Sequence, residues 1–177
     1  MRSMVFALSL LTAGSVGFVA QRTTAAPPLN DATIIALFDA ANTYDIEASQ
    51  LALQKSKNAD VRALATQFMN DHKAVRQQGR DLAKQLKVTP TPPKANPLAP
   101  AHIAAMKALR GKSGAAFDQA YAANEVAFHQ QVLDAVSSTL LPAIQNAQLK
   151  AFIEKVGPAF QGHLEAAKQL QKKLGTT

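Results

Sequence analysis

Apolar positions recur at alternating steps of three and four residues along almost all of residues 31–174, and runs of β-branched residues are scarce. That period belongs to amphipathic helices, because a strand would alternate every second residue. The pattern predicts a first helix from an Asp31 N-cap to about Ser56, with an inward stripe of Leu37, Ala41 or Ala40, Tyr44, Glu47 and Leu51. A second helix should start at Asn58 or Asp60 and reach about Lys87. Its stripe is Phe68, His72, Val75, Gly79, Leu82 and Leu86.

Between Thr89 and Pro100 stand Pro90, Pro92, Pro93 and Pro97, which cannot all sit inside a helix, so an extended crossing is expected there. A short helix from about Ala101 to Leu109 should follow, broken by Gly111 and Gly114. A third long helix is predicted from about Ala115 to Ser138, carrying Phe117, Tyr121, Glu125, Phe128 or His129, Val132 and Val136 on one side. Pro142 should end that segment or open a short turn. The last helix runs from about Asn146 to Leu174, with Leu149, Phe152, Val156, Phe160, His163, Ala167, Leu170 and Leu174 inward and a kink expected near Pro158. Four long helices with a tight first turn, a long second connection and a short third one predict an all-α, ferritin-like four-helix bundle. Phe38-Asp39 before Glu47 and Phe117-Asp118 before Glu125 form a short internal echo consistent with two related helix pairs.

The chain ends change the picture next. Met1 to Ala20 combine Arg2 with an apolar run free of ionisable side chains from Val5 onward, which reads as a secretory signal. Cleavage is expected after Ala25 in preference to Ala20, giving a signal peptide over 1–25, a leader over 26–30 and the helical domain over 31–177. The expected location is therefore the periplasm or cell envelope. The sequence contains no Cys, which excludes disulfides, thiol nucleophiles and cysteine metal knuckles. Lys and Arg number 19 against 12 Asp and Glu; loss of Arg2 and Arg22 with the signal leaves 17 against 12, a net charge of +5. Lys73, Arg76, Arg80, Lys84 and Lys87 line one side of the second helix, either as a solvated face or as a contact for anionic surfaces. Two Tyr and no Trp supply too few aromatic faces for base stacking, so nucleic acid is not an expected partner.

Candidate chemistry lies on the inward stripes. His72 and His163 occupy positions where Leu or Phe is the norm, and buried imidazoles and carboxylates must pair with each other or with an ion. Counted from a turn near residue 57, Glu47 lies 10 residues before and His72 lies 15 after, an axial mismatch of about 7 Å. Counted from a turn near residue 143, Glu125 lies 18 before and His163 lies 20 after, level within about 3 Å, while His129 lies 14 before. Di-metal carboxylate bundles need a Glu three residues before each His, and Met69 and Phe160 stand at those positions, which argues against ferritin-type iron oxidation. The candidate ligands for a single divalent ion such as Zn, Cu or Mn are Glu47, His72, Glu125, His129 and His163. The leading expectation is a non-enzymatic envelope protein with a metal-free polar layer of neutral histidines hydrogen-bonded to glutamates and to Tyr44 or Tyr121. It would act through an unidentified protein or surface partner in an envelope or stress-related role; mononuclear metal binding comes second and a redox enzyme third.

Several stretches closely resemble the bacterial exported family known as domain of unknown function 4142. They are Glu47 to Leu53, Phe68-Met69-Asn70-Asp71-His72, Gly114-Ala115-Ala116-Phe117-Asp118 with Tyr121 and His129, and Leu149 to Phe152 with Pro158 and His163-Leu164. The resemblance spans nearly all of Asp31 to Leu174. It implies export and a ferritin-like four-helix fold, and it implies no established activity.

Overall fold

The computed structural model describes residues 29–175, so the expected signal peptide and most of the leader lie outside the described residues. Helix α1 spans Asp31–Lys55, α2 Ala59–Gln85, α3 Ala99–Arg110, α4 Gly114–Ala135, α5 Leu141–Ala143 and α6 Ala147–Gly175, with a π-helical segment, Val136–Leu140, joining α4 to α5. Among the described residues there is no strand, and no helix is long and apolar enough to cross a membrane.

The helix ends follow local chemistry. Asn30, rather than Asp31, caps α1 by accepting the Thr33 N–H at 2.9 Å. Asp31 instead reaches across the molecule, its carboxylate accepting the backbone N–H groups of Gln145 and Asn146 just ahead of α6. Asn58 caps α2 and Asn146 caps α6 in the same manner. Helix α3 begins two residues earlier than expected because Pro100 sits in its first turn, where a missing N–H breaks no ladder bond. Helix α4 ends earlier than expected. Pro142 has no N–H to give the Ser138 carbonyl, and the ladder ahead of it slips to five-residue spacing, Leu141 N–H bonding Val136 O. Helix α6 continues through Pro158.

Contacts fix the direction of each helix. The start of α1 meets the crossing at Ala32 and Thr91, and its far end meets the C-terminus of α3, where Lys55 Nζ donates to the carbonyls of Leu109 and Arg110. The crossing plus α3 therefore travel the full length of α1. Helix α6 ends beside the start of α2, where Lys173 pairs with Asp60. Helices α1 and α6 thus run one way, α2 and α4 the other, and each long helix touches two others in a ring of α1, α2, α6 and α4.

Two apolar clusters fill the interior. One, around Val61, Phe68, Phe117, Tyr121 and Leu170, occupies the end where α1 meets α2. The other, around Ile34, Phe38, Val132, Ile153 and Phe160, occupies the opposite end. Between them lies a layer of buried polar side chains.

The stripe on α1 matches the expected one only in part. Leu37 and Ala41 are buried as expected, together with Ile34, Phe38, Asn42, Asp45, Ser49 and Ala52, whereas Glu47 is exposed and Tyr44 and Leu51 are half-buried. The reason is that α1 carries two covered faces. One faces the other long helices, and the one holding Tyr44 and Glu47 faces the crossing and α3, where Tyr44 stacks on His102 at 4.1 Å and bonds Asn96.

Candidate metal centre

Each of the four long helices delivers one ligand-type side chain to a common point: Asp45 from α1, His72 from α2, His129 from α4 and His163 from α6. His72 Nε2 is the hub, 3.4 Å from His129 Nε2, 3.3 Å from His163 Nδ1 and 3.4 Å from Asp45 Oδ2. Asp45 Oδ2 is also 3.6 Å from His129 Nε2. Phe68 stacks on His163 at 4.4 Å from one side, and Phe160 meets His72 edge-on at 5.2 Å from the other. These two rings belong to the two apolar clusters, so the polar layer is sealed above and below.

The outer nitrogen of each imidazole settles where its proton sits. Asn42 Nδ2 donates to the Phe38 carbonyl, so Asn42 Oδ1 is an acceptor and His72 Nδ1–H donates to it at 2.9 Å. His129 Nδ1–H donates to the Glu125 backbone carbonyl at 2.9 Å, and His163 Nε2–H donates to Asp71 Oδ2 at 3.0 Å. The His72 Nε2 lone pair consequently faces those of His129 and His163 across 3.4 and 3.3 Å with no hydrogen between them. Protonation would not supply one at neutral pH: burial pushes the His72 pKa well down, the His129 pKa down to about 4, and the His163 pKa down despite the opposing pull of Asp71.

The carboxylates are in a similar condition. Asp45 Oδ1 accepts from Ser49 Oγ, which accepts in turn from Tyr121 Oη, but Asp45 Oδ2 and Glu125 Oε2 are buried without a hydrogen-bond partner. Both oxygens are acceptors, so nothing joins them unless a proton or a cation stands between. Burial drives the Asp45 pKa up to about 7, and burial together with the neighbouring Asp45 raises Glu125 well above the carboxylate range. Glu125 Oε2 lies 3.6 Å from His129 Nδ1. The sets His72, His129, His163 and Asp45, Glu125, His129 each bring their ligand atoms within 4.8 Å of one another, so these buried groups could hold a metal ion.

Of the five sequence candidates, His72, Glu125, His129 and His163 meet inside. Glu47 does not; it faces outward and accepts from His102 Nε2 at 2.8 Å. The two glutamates of the internal echo thus part company, one on the surface and one in the core. His163 was expected to be level with Glu125, yet its polar neighbours are His72 and Asp71. The π segment extends the helical path and moves the turn to residues 144–146, and measured from residue 145, His129 lies 16 before and His163 lies 18 after.

Asp45, Asn42, Ser49 and Asp71 were missed. The hairpin ruler contained a signal for the first, since Asp45 lies 12 residues before residue 57 and matches His72 better than Glu47 does. On the basic side of α2, Arg76 and Arg80 both turn to Asp39 of α1. Burial works against the Asp39 charge, but the two guanidinium groups outweigh it and hold its pKa below the usual value.

An all-helical interior with a buried histidine and carboxylate cluster, able to hold a metal, is the class these features define. The profile of the family described as Domain of unknown function (DUF4142) matches residues 18–170, and the chain belongs to that family. No curated protein and no solved structure matches it.

Proposed function

We propose that this protein binds one divalent transition-metal ion through His72, His129, His163 and Asp45 inside a ferritin-like four-helix bundle. The observation that carries the reading is the ring of groups around His72 Nε2, with the proton-free nitrogens of His129 and His163 and the orphaned Asp45 Oδ2 at 3.3–3.4 Å from it and Asp45 Oδ2 also 3.6 Å from His129 Nε2. A tetrahedral ion with ligand bonds of about 2.0–2.2 Å has ligand-to-ligand edges of about 3.3–3.6 Å. Nitrogen-rich ligation suits zinc or copper better than manganese. The outer partners Asn42, Glu125 O and Asp71 supply the second layer that orients metal-binding imidazoles. A ferritin-like assignment draws support from the helix directions, α1 and α6 against α2 and α4, with one long crossing between α2 and α4. Met69 and Phe160, in place of bridging glutamates, keep the centre mononuclear. The signal-like residues 1–25 support an envelope location, checked by fractionating cells that express the full chain; retention in the cytoplasm would refute it.

Elemental analysis of purified protein tests the metal directly. Wild type should carry about one zinc or copper per chain after loading, and the His72→Ala/His163→Ala double variant none. No metal on the wild type under any loading condition would leave a metal-free polar layer, in which Asp45 and Glu125 share one proton.

A further inference from the structure

The four groups of the centre are sealed to different degrees. The side chains of Asp45 and His129 are 0 % exposed and that of His72 1 %, so an ion cannot pass by way of them. His163 keeps 7 %, and its Nε2–H donates at 3.0 Å to the Asp71 carboxylate, which is 49 % exposed. This pair, at the seam between α2 and α6, links the centre to solvent. Helix α6 is weakest just ahead of it. Pro158 gives no N–H to the Glu154 carbonyl, and Gly157 and Gly162 stand beside it in the six residues before His163. Packing demands neither glycine, since a Cβ at either position would meet nothing within 4 Å. Glycine and proline are the poorest helix formers, so this stretch opens alone at low cost. The other three ligand helices lack such a stretch: α1 has no glycine or proline, α4 has only Gly114 at its first position, and a Cβ on Gly79 of α2 would press on Phe38 at 3.0 Å.

We propose, resting on the metal reading above, that the ion enters and leaves through the α2–α6 seam: Asp71 attracts and first contacts it, and residues 157–163 of α6 loosen to swing His163 aside. Asp45, His72 and His129 stay in place as a half-built site, and the return of His163 completes and closes it.

Zinc kinetics on the full-length protein test this, with uptake followed by stopped flow against a colorimetric zinc indicator and loss by transfer to excess chelator. Gly157→Ala/Gly162→Ala, whose added methyl groups meet open space, should slow uptake and loss alike by about 20-fold and leave the affinity unchanged. Ala159→Gly, exposed on the same stretch, should speed both about fivefold. Ala63→Gly, exposed near the start of α2, loosens a helix to the same degree and should change neither rate; an equal acceleration there would mean that exchange runs through global unfolding and would overturn the gate. Asp71→Asn should slow uptake several-fold at low salt and flatten its salt dependence, because salt screens the pull of an exposed charge on a cation. An unaltered salt dependence would overturn Asp71 as the first contact. Rates equal to the wild type in both α6 variants, with one zinc bound per chain, would overturn the route while leaving the metal site intact, whereas a wild type that binds no zinc would remove the metal reading itself.

Discussion

Two histidine–carboxylate pairs start from positions two residues apart on α1 and end in opposite circumstances. Glu47 and His102 meet at 2.8 Å on the surface, where the Glu47 side chain is 48 % exposed and the imidazole lies against Tyr44. Asp45 and His72 meet at 3.4 Å with 0 % and 1 % exposure, too far for a good hydrogen bond and too deep for water to help. Water and a nearby ring complete the outer pair. The inner pair is complete only when something positively charged joins it, since a buried carboxylate facing imidazole lone pairs is otherwise repelled and desolvated. The same residue types thus give a surface contact in one place and a binding site in the other, and depth decides which.

The largest effect that would sharpen this contrast is ligand-linked stability. Zinc at about a thousand times its dissociation constant should add about 4 kcal/mol, raising the melting temperature by roughly 10 °C for a chain of this size. Asp45→Asn and the double histidine variant should show no such rise in a calorimetric scan with and without zinc. An equal rise in those variants would mean that zinc acts elsewhere.

Asn42→Ala comes next. It removes the acceptor that fixes the His72 tautomer and should weaken zinc about 10- to 100-fold in a chelator-competition titration, leaving the stoichiometry unchanged. Unaltered affinity would show that the tautomer is set by other means.

The pH dependence is smaller and has a definite sign. In the metal-free protein the Asp45 pKa is raised to about 7, so as the pH falls below that value a proton competes with the ion, and affinity should drop about tenfold per pH unit between about 7 and 5. Near pH 4 the loss should steepen as His129 begins to charge. Without metal, the two groups pull stability in opposite directions. Asp45, its pKa raised from 3.8, contributes stability below the unfolded value that is lost as the pH rises through about 7; His129, its pKa lowered from 6.5, contributes stability above 6.5 that is lost as the pH falls through about 4. Zinc affinity constant between pH 5 and 7 would exclude Asp45 as a ligand.

The smallest effect belongs to the outer pair. Glu47→Gln should change stability by less than about 1 kcal/mol in denaturant unfolding and leave zinc affinity untouched. A large loss of zinc in that variant would restore Glu47 to the centre and erase the contrast.

Sequence periodicity made most of the helical frame legible, because α2 and α6 each bury a single stripe and expose the rest. His72 and His163 stood out for that reason: each interrupts a row of Leu, Val and Phe. Helix α1 was harder to read, since Leu37, Tyr44 and Leu51 form a second apolar row beneath the crossing and α3, and that row drew Glu47 inward on paper. Asn42, Asp45 and Ser49, spaced three and four apart, look like a solvated edge until α2 and α4 are known to close over them. On the α4 side the relative height of His129 depended on a π segment. One slipped ladder bond moves the turn by two residues, and no composition or period announces it.

One ligand from each long helix has a mechanical meaning. A helix end can fray alone, but displacing the middle of any one helix would break a bond that the other three share, so an occupied centre ties their excursions together. Amide exchange in the turns around residues 45, 72, 129 and 163, free to proceed at separate rates without the ion, should converge on a single slow rate once it is seated.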